Sequence, residues 1–245
     1  MFLKSFIKNE IDQSCYKYSH SYDFSSRQLF SYSEAYKTGI SQNPMMMISN
    51  WIVGNRLDLS NHSDQNLKDY LENFTFNNQS FFNHSQYVSH LCLKVGKALK
   101  FDARELEKLK WAALYHDIGK SRISKEILEK TGPLNIEEWK IMKKHPIYSY
   151  DILNKHPKYK DIAIYTKYHH ERIDGSGYPE GLKGFEIPLI SRIISVVDAY
   201  EAMTSDRPYK KAISKESAIK ELVKHSHSQF DSSIVKIFIS ILLNE

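Results

Sequence analysis

The stretch Tyr115-His116-Asp117-Ile118-Gly119-Lys120 places an imidazole, a carboxylate and an ammonium group side by side at the end of a strongly helical segment. Leu109 and Ala113 precede it at helical spacing, which predicts that His116 and Asp117 point into the core. Burial of a carboxylate lowers the stability of the fold by several kcal/mol, in order of magnitude, unless the group is ion-paired, hydrogen-bonded or bound to a metal. The pair therefore needs partners from elsewhere in the chain.

Further histidines and a second aspartate recur along the chain, at intervals that suit one ligand from each successive helix of a bundle. The candidate metal ligands are His84, His116, Asp117, His145, His169, His170 and Asp198. Imidazole and carboxylate donors together suit iron, manganese, zinc or similar ions, and Asp117 could bridge two of them. Unrelated surface histidines are the less favoured interpretation.

The local pattern places each of the later candidates at a helix end or on a buried face. Pro146 breaks or restarts a helix directly after His145. A helix predicted over residues 162–168 ends in His169-His170. Residues 187–203 are apolar on all sides, and Asp198 within them has no Lys or Arg three or four residues away, so a metal is its simplest partner.

Two polar segments near these ligands are suited to a phosphate-bearing ligand. The loop Glu171-Arg172-Ile173-Asp174-Gly175-Ser176-Gly177-Tyr178-Pro179 combines glycines, an arginine and an aromatic ring that can stack. We expect Arg172 and Asp174 to brace this loop by pairing. The segment Asp206-Arg207-Pro208-Tyr209-Lys210-Lys211 concentrates cations at a helix end, which is typical of phosphate contacts.

Composition limits the class of protein. The chain has 245 residues, 41% of them hydrophobic, a net charge of +5 and two cysteines, Cys15 and Cys92, without metal-ligand spacing. No apolar run approaches the roughly 18 to 20 residues that cross a bilayer, and no signal peptide is evident. We expect a cytoplasmic protein without a membrane contact, which binds a small anionic ligand rather than a nucleic-acid polymer.

The chain divides into a small N-terminal region of uncertain fold, residues 1–78, and an almost wholly helical domain, residues 79–245. The N-terminal region has room for a dimerisation element or a contact with a signalling partner, and too little for a full sensor domain. The helical domain should begin with a hairpin that turns at Phe101-Asp102. It should close with helices over Lys215–Lys224 and Ser232–Leu243.

These motifs resemble the HD-GYP subfamily of the HD phosphohydrolase superfamily. The match runs from about residue 80 to 243 and rests on an ordered set: His84, His116-Asp117, His145-Pro146, the His169 to Pro179 loop, Asp198 and Asp206-Arg207-Pro208-Tyr209. The resemblance implies an all-α HD-domain bundle from a bacterial signalling system. It also implies a centre of iron or manganese ions that hydrolyses cyclic di-GMP or the related cyclic GMP-AMP.

The resemblance also implies roles for individual residues. His84, His116, Asp117 and Asp198 would hold one ion, and Asp117, His145, His169 and His170 the other. Asp117 and Lys120 would be catalytic, with Lys120 offering charge to the scissile phosphate. Arg207 and Lys210 would contact phosphate, and Tyr178 would lie along a guanine base.

At one position this sequence differs from the family members that bind three metals. Those members carry a glutamate one helical turn before the residue that corresponds to His84. Here that position is Ser80, and a neutral hydroxyl is a poor ligand. We therefore expect two ions and a mostly linear dinucleotide product. The alternatives are another HD-type nucleotide phosphohydrolase, an inactive cyclic-dinucleotide-binding module and a purely structural bundle.

Overall fold

The computed structural model describes residues 79–206 and 211–244, with side chains from residue 83 onward. Helices account for nearly all regular structure in these two ranges, which contain no β-strand, so the predicted all-α fold is confirmed. The helices are α1 (Gln79–Ala98), α2 (Ala103–Tyr115), α3 (Lys125–Leu128), α4 (Ile136–Met142), α5 (His145–Asn154), α6 (Lys160–Lys167), α7 (Leu189–Thr204), α8 (Lys215–Lys224) and α9 (Ser232–Leu243). Short 3₁₀ turns cover Ile118–Arg122 and Gly184–Glu186.

Helices α1 and α2 form the predicted hairpin. Helix α2 begins at a capping box, in which the Asp102 carboxylate accepts the Glu105 N–H and the Glu105 carboxylate accepts the Asp102 N–H, both at 2.8 Å. On α1, Val88, Leu91 and Val95 are almost fully buried and form the predicted apolar stripe. The hairpin therefore presents one face of each helix to the core.

Helix α7 runs through the centre of the domain, as its apolar sequence predicts. Four of its apolar residues are fully buried and span a little under half of its circumference: Ile193, Ile194, Val196 and Val197. Helices α1, α8 and α9 pack against it, and the bounds of α8 and α9 agree with the prediction. Helix α7 carries Asp198, whose Oδ1 lies 3.8 Å from His116 Nε2.

A cluster of buried rings lies behind the end of α2. Trp111 stacks on Tyr115 with ring centroids 5.6 Å apart, and Tyr159 meets Tyr115 edge to face at 5.1 Å. This packing fixes the last turn of α2 and hence the direction in which His116 leaves it. Within the described residues, none of the helices combines the length and apolar content needed to cross a bilayer.

Candidate metal centre

Three of the candidate histidines share one local arrangement at the ends of helices. His116, His145 and His169 each direct Nδ1 at the backbone carbonyl three residues earlier. The acceptors are Ala113, Met142 and Thr166, at 2.7, 2.8 and 2.6 Å. Each acceptor lies in the last turn of its helix, where carbonyls lack helical partners. The contact therefore satisfies a helix end and fixes the direction of the ring.

This arrangement determines where the ring proton resides. In a neutral imidazole whose Nδ1–H donates to a carbonyl, Nε2 carries a lone pair and no proton. The Nε2 atoms of His145 and His169 lie 3.4 Å apart, and His116 Nε2 lies 3.3 Å from His84 Nε2. The lone pairs of His145 and His169, which converge at this distance, repel one another unless a cation lies between them. The chemistry of these donors therefore fits metal ions.

The seven candidate ligands converge as two donor groups. The first donor group is His84, His116 and Asp198, and the second is Asp117, His145, His169 and His170. Within each group the potential ligand atoms all lie within 4.8 Å of one another. Two candidate sites for metal ions, built from the residues that the sequence singled out, thus lie next to each other.

Asp117 lies between the two donor groups and presents a different oxygen to each. Its Oδ1 is 3.2 Å from His145 Nε2 and 4.0 Å from His169 Nε2. Its Oδ2 is 3.4 Å from His116 Nε2 and 3.7 Å from His84 Nε2. The buried Oδ1 receives no hydrogen bond from the described residues. A carboxylate in this position can bridge two cations.

The first donor group is completed from α7 and oriented by a further carboxylate. Asp198 Oδ1 lies 3.2 Å from His84 Nε2, and the His84 Nδ1 meets Glu201, which is buried. Burial alone lowers the pKa of His84, but hydrogen bonds to Asp198 and Glu201 outweigh it and raise the pKa to about 9. The same negative charge attracts a metal cation, which would displace that proton.

The second donor group is electrostatically different. Burial, reinforced by the neighbouring histidines, holds the pKa of His169 well below its usual range. Burial and the proximity of His145 lower the pKa of His170 to about 3. Both imidazoles are thus neutral at ordinary pH, which is the form that binds metal.

Lys120 contacts the Asp117 carboxylate directly. Its Nζ lies 2.5 Å from Asp117 Oδ2. Burial would raise the pKa of Asp117, but the charge of Lys120 and contacts with His116 and His145 hold it well below its usual range. Burial likewise opposes ionisation of Asp198, whose pKa is held well below its usual range by His84. Both carboxylates are therefore ionised.

Gly119 and Ser149 join the His116-Asp117 turn to the start of α5. The Gly119 N–H donates to Ser149 Oγ at 2.9 Å, and that hydroxyl donates to the His116 carbonyl at 2.8 Å. A Cβ on Gly119 would lie only 2.1 Å from the His145 carbonyl oxygen. The close approach that glycine permits therefore sets the spacing between ligands of the two donor groups.

The glycine-rich loop is held in shape by its own charged residues. The buried Glu171 carboxylate accepts the backbone N–H groups of residues 180, 181 and 182, at 2.7 to 3.1 Å. Arg172 and Asp174 form the predicted bracing pair at 3.3 Å. The loop thereby sets the Tyr178 ring beside His170, with centroids 5.0 Å apart and planes inclined by 32°.

The structure thus brings together all seven candidate ligands, Lys120 and Tyr178. The proposed phosphate contacts Arg207 and Lys210 lie outside the described residues, as does the side chain of Ser80. Reasoning from sequence missed Glu201, although its position three residues after Asp198 on one helical face was an available signal. It also missed Ser149 and the structural role of Glu171, for which periodicity offers no signal.

Fold and site together define a class: an all-helical domain whose histidine and aspartate side chains, presented by successive helices, form two adjacent candidate sites for metal ions. The chain belongs to the HD domain family, whose model matches residues 68–234. The resemblance drawn from the motifs is thereby confirmed.

Curated relatives share over a third of their aligned residues with this chain. A 3′3′-cGAMP-specific phosphodiesterase 3 of Vibrio cholerae is 36% identical over 148 residues, 60% of this chain and 32% of that protein. The cyclic di-GMP phosphodiesterase response regulator RpfG of Xanthomonas campestris is 37% identical over 150 residues, 60% of this chain and 40% of that protein. A cyclic di-GMP phosphodiesterase of Thermotoga maritima is 36% identical over 160 residues, 64% of this chain and 44% of that protein. The matched part is thus less than half of each of these relatives.

Solved structures share the fold at lower identity. Bd1817, an HDG"Y"P protein from Bdellovibrio bacteriovorus, superimposes with a TM-score of 0.57 at 18% identity, covering 82% of this chain and 60% of that one. The HD domain of the L. monocytogenes phosphodiesterase PgpH gives a TM-score of 0.52 at 15% identity, covering 71% of this chain and 95% of that one. These likenesses support the HD-domain fold.

Proposed function

We propose that this chain is a metal-dependent phosphodiesterase that opens the ring of a cyclic dinucleotide, with cyclic di-GMP as the first candidate. The observation that carries the proposal is Asp117, whose two carboxylate oxygens face two adjacent groups of metal donors. The names of the curated relatives, which are cyclic di-GMP and cGAMP phosphodiesterases, support the same chemistry.

Two divalent transition ions fit the donor set. His84, His116 and Asp198 would hold one ion, the remaining histidines would hold the other, and Asp117 would contact both. Five imidazole donors favour borderline ions such as Fe²⁺ or Mn²⁺ over Mg²⁺ or Ca²⁺. When bound, such ions supply Lewis-acid activation of water and neutralise charge on the phosphodiester.

The chain's own groups would position the substrate around these ions. Lys120 carries a positive charge at the edge of the centre, where it can meet the scissile phosphate and stabilise the charge that develops on it. Arg207 and Lys210 would hold phosphate from outside the ligand set. Tyr178, beside His170, offers a face on which a base can stack.

3′3′-cGAMP is the second candidate substrate, because three of the curated relatives from Vibrio cholerae carry that specificity in their names. Its adenine and guanine would occupy the same ring-opening site. A mononucleotide hydrolase would use the same centre without needing the Tyr178 face. An inactive binding module would retain affinity for cyclic dinucleotides without turnover.

Anaerobic purification followed by metal analysis and a chromatographic assay tests the proposal. We expect about two iron or manganese ions per chain and cleavage of cyclic di-GMP at a rate that a chelator abolishes and Mn²⁺ restores. Cyclic di-GMP, 3′3′-cGAMP, cyclic di-AMP and mononucleotides form the substrate panel. Fewer than one ion per chain without stimulation by added Mn²⁺ or Fe²⁺ would contradict the proposal, as would turnover confined to mononucleotides.

A time course of the same reaction tests the expected product. With Ser80 where trinuclear relatives carry a glutamate, we expect the linear dinucleotide to accumulate and mononucleotide to form slowly. Mononucleotide that appears without a lag under excess substrate would show that this inference from Ser80 is wrong.

A further inference from the structure

A pocket of about 250 Å³ opens directly beside the second donor group. His170 forms part of its wall, so whatever enters the pocket lies next to the candidate metal centre. The volume is below the roughly 300 to 1,000 Å³ of pockets that enclose a drug-sized ligand. The pocket therefore suits one portion of a dinucleotide rather than the whole molecule.

Two aromatic rings from different elements line this pocket. Tyr178 comes from the glycine-rich loop and Trp139 from α4. Lys143 lies between them, with Nζ 5.4 Å from the Tyr178 centroid and 5.9 Å from the Trp139 centroid. Aromatic side chains are the surfaces on which proteins stack unpaired nucleobases. The walls are thus suited to a flat, aromatic ligand.

Trp139 does not pack in the hydrophobic core. None of the residues of α4 is buried, and Trp139 itself is 48% exposed. The helix is held instead by polar contacts at its start, where Asn135 and Glu138 form a capping box and Lys130 meets Glu138 at 2.6 Å. Trp139 therefore adds little to the stability of the core, and contact with a ligand in the pocket better explains an indole at this position.

The polar side of the pocket is supplied by Gln229 and Ser195. Gln229 belongs to the loop between α8 and α9, and its backbone is held by two hydrogen bonds: its carbonyl accepts the Ile173 N–H at 3.3 Å, and its N–H donates to the His225 carbonyl at 3.0 Å. Arg172, which also lines the pocket, is already engaged by Asp174. Gln229 thus lines the pocket and carries a carboxamide, which can form hydrogen bonds with the edge of a ligand.

The combination of donors and acceptors suits a purine base. A carboxamide offers one acceptor and two donors, which complement an edge carrying both kinds of group. An ammonium is a donor only, so Lys143 matches the O6 and N7 acceptors of guanine, whereas the carboxamide of Gln229 matches the N6 and N7 groups of adenine. A purine that stacks on one of these rings could meet Lys143 or Gln229 at its edge.

We propose that Trp139, Tyr178, Lys143 and Gln229 form a purine-binding subsite, in which Gln229 hydrogen-bonds the edge of the base. The subsite rests on the proposed function, because it would position one base of the cyclic dinucleotide beside the ring-opening centre. It adds two elements, α4 and the α8–α9 loop, to the substrate site that the motifs predict.

Steady-state kinetics of Gln229→Leu test the subsite in the metal-loaded enzyme. Leucine keeps the size of the side chain but removes both hydrogen-bonding groups. KM for cyclic di-GMP should rise roughly tenfold or more, while kcat changes less than threefold, because the contact serves binding. Ser228→Ala, a change at the neighbouring loop residue that does not line the pocket, is the matched control and should leave KM unchanged.

Trp139→Ala is a second variant, on a separate element, in case Gln229→Leu folds poorly. Loss of a stacking face should raise KM by about tenfold, whereas Ile136→Ala, at an exposed position on the same helix, should not change it. If the wild-type enzyme cleaves cyclic di-GMP and both pocket variants keep KM within twofold, the subsite is refuted and the proposed function stands.

Equilibrium binding separates the two proposals when turnover is absent. Guanosine monophosphate should bind the metal-loaded wild-type protein at least tenfold more tightly than ribose 5-phosphate, and Gln229→Leu should reduce that ratio. Equal affinity for the two compounds would refute the subsite whatever the activity. A preference for guanosine monophosphate without cleavage of any cyclic dinucleotide would support the subsite and refute the proposed function.

Discussion

Gly119→Ala should damage the candidate metal centre without altering any ligand. The added Cβ would lie 2.1 Å from the His145 carbonyl oxygen and 2.5 Å from the Ser149 nitrogen. Both are backbone atoms, so a change of side-chain rotamer cannot relieve the contact. Ordinary contact begins at 3.4 Å, so the His116-Asp117 turn must move about 1.3 Å away from α5.

Two effects add to the cost of this movement. Overpacking in a close-packed interior typically costs about 1 to 3 kcal/mol. Separation of the two segments also stretches the Gly119 to Ser149 hydrogen bond, worth about 0.5 to 1.5 kcal/mol. We expect a loss of about 3 kcal/mol in the free energy of unfolding, equivalent to about 6 to 12 °C in Tm for a domain of this size.

Urea unfolding of the metal-free protein measures the change in stability, and turnover measures the change in geometry. A ligand misplaced by about 1 Å can cost about a hundredfold in rate, so activity should fall even where the protein remains folded. Gly132→Ala is the matched control, because a Cβ there meets nothing within 4 Å. If both variants unfold at the same urea concentration and turn over alike, the close approach at Gly119 does not set the site.

Three further substitutions test individual roles. Asp117→Asn should abolish turnover while circular dichroism stays native, because an amide cannot give a charged oxygen to each donor group; substantial residual activity would exclude the bridging role. Glu201→Gln should weaken metal binding about tenfold, since the buried carboxylate orients His84, and unchanged metal content after dialysis would contradict this. Arg207→Ala and Lys210→Ala should raise KM more than they lower kcat; an unchanged KM in both would show that phosphate binds elsewhere.

Local patterns in the sequence were sufficient for the helices and for the choice of candidate ligands. The spacing of Val88, Leu91 and Val95 repeats within one helix, and a helical face needs only neighbours three and four residues away. Likewise, His145 follows a helix end and precedes Pro146, so its unusual position is visible in three consecutive residues. Such features depend on short segments, and the structure agrees with them.

The relation between segments was decided only by tertiary structure. His84 and Glu201 meet across 117 residues of chain, and no periodicity connects them. The packing of α2, α5 and α7 determines which oxygen of Asp117 faces which donor group. The sequence identifies the aspartate but not the surroundings of its two oxygens. The pocket beside His170 likewise draws Trp139 and Gln229 from distant elements, since a binding surface is a property of packing and not of any one segment.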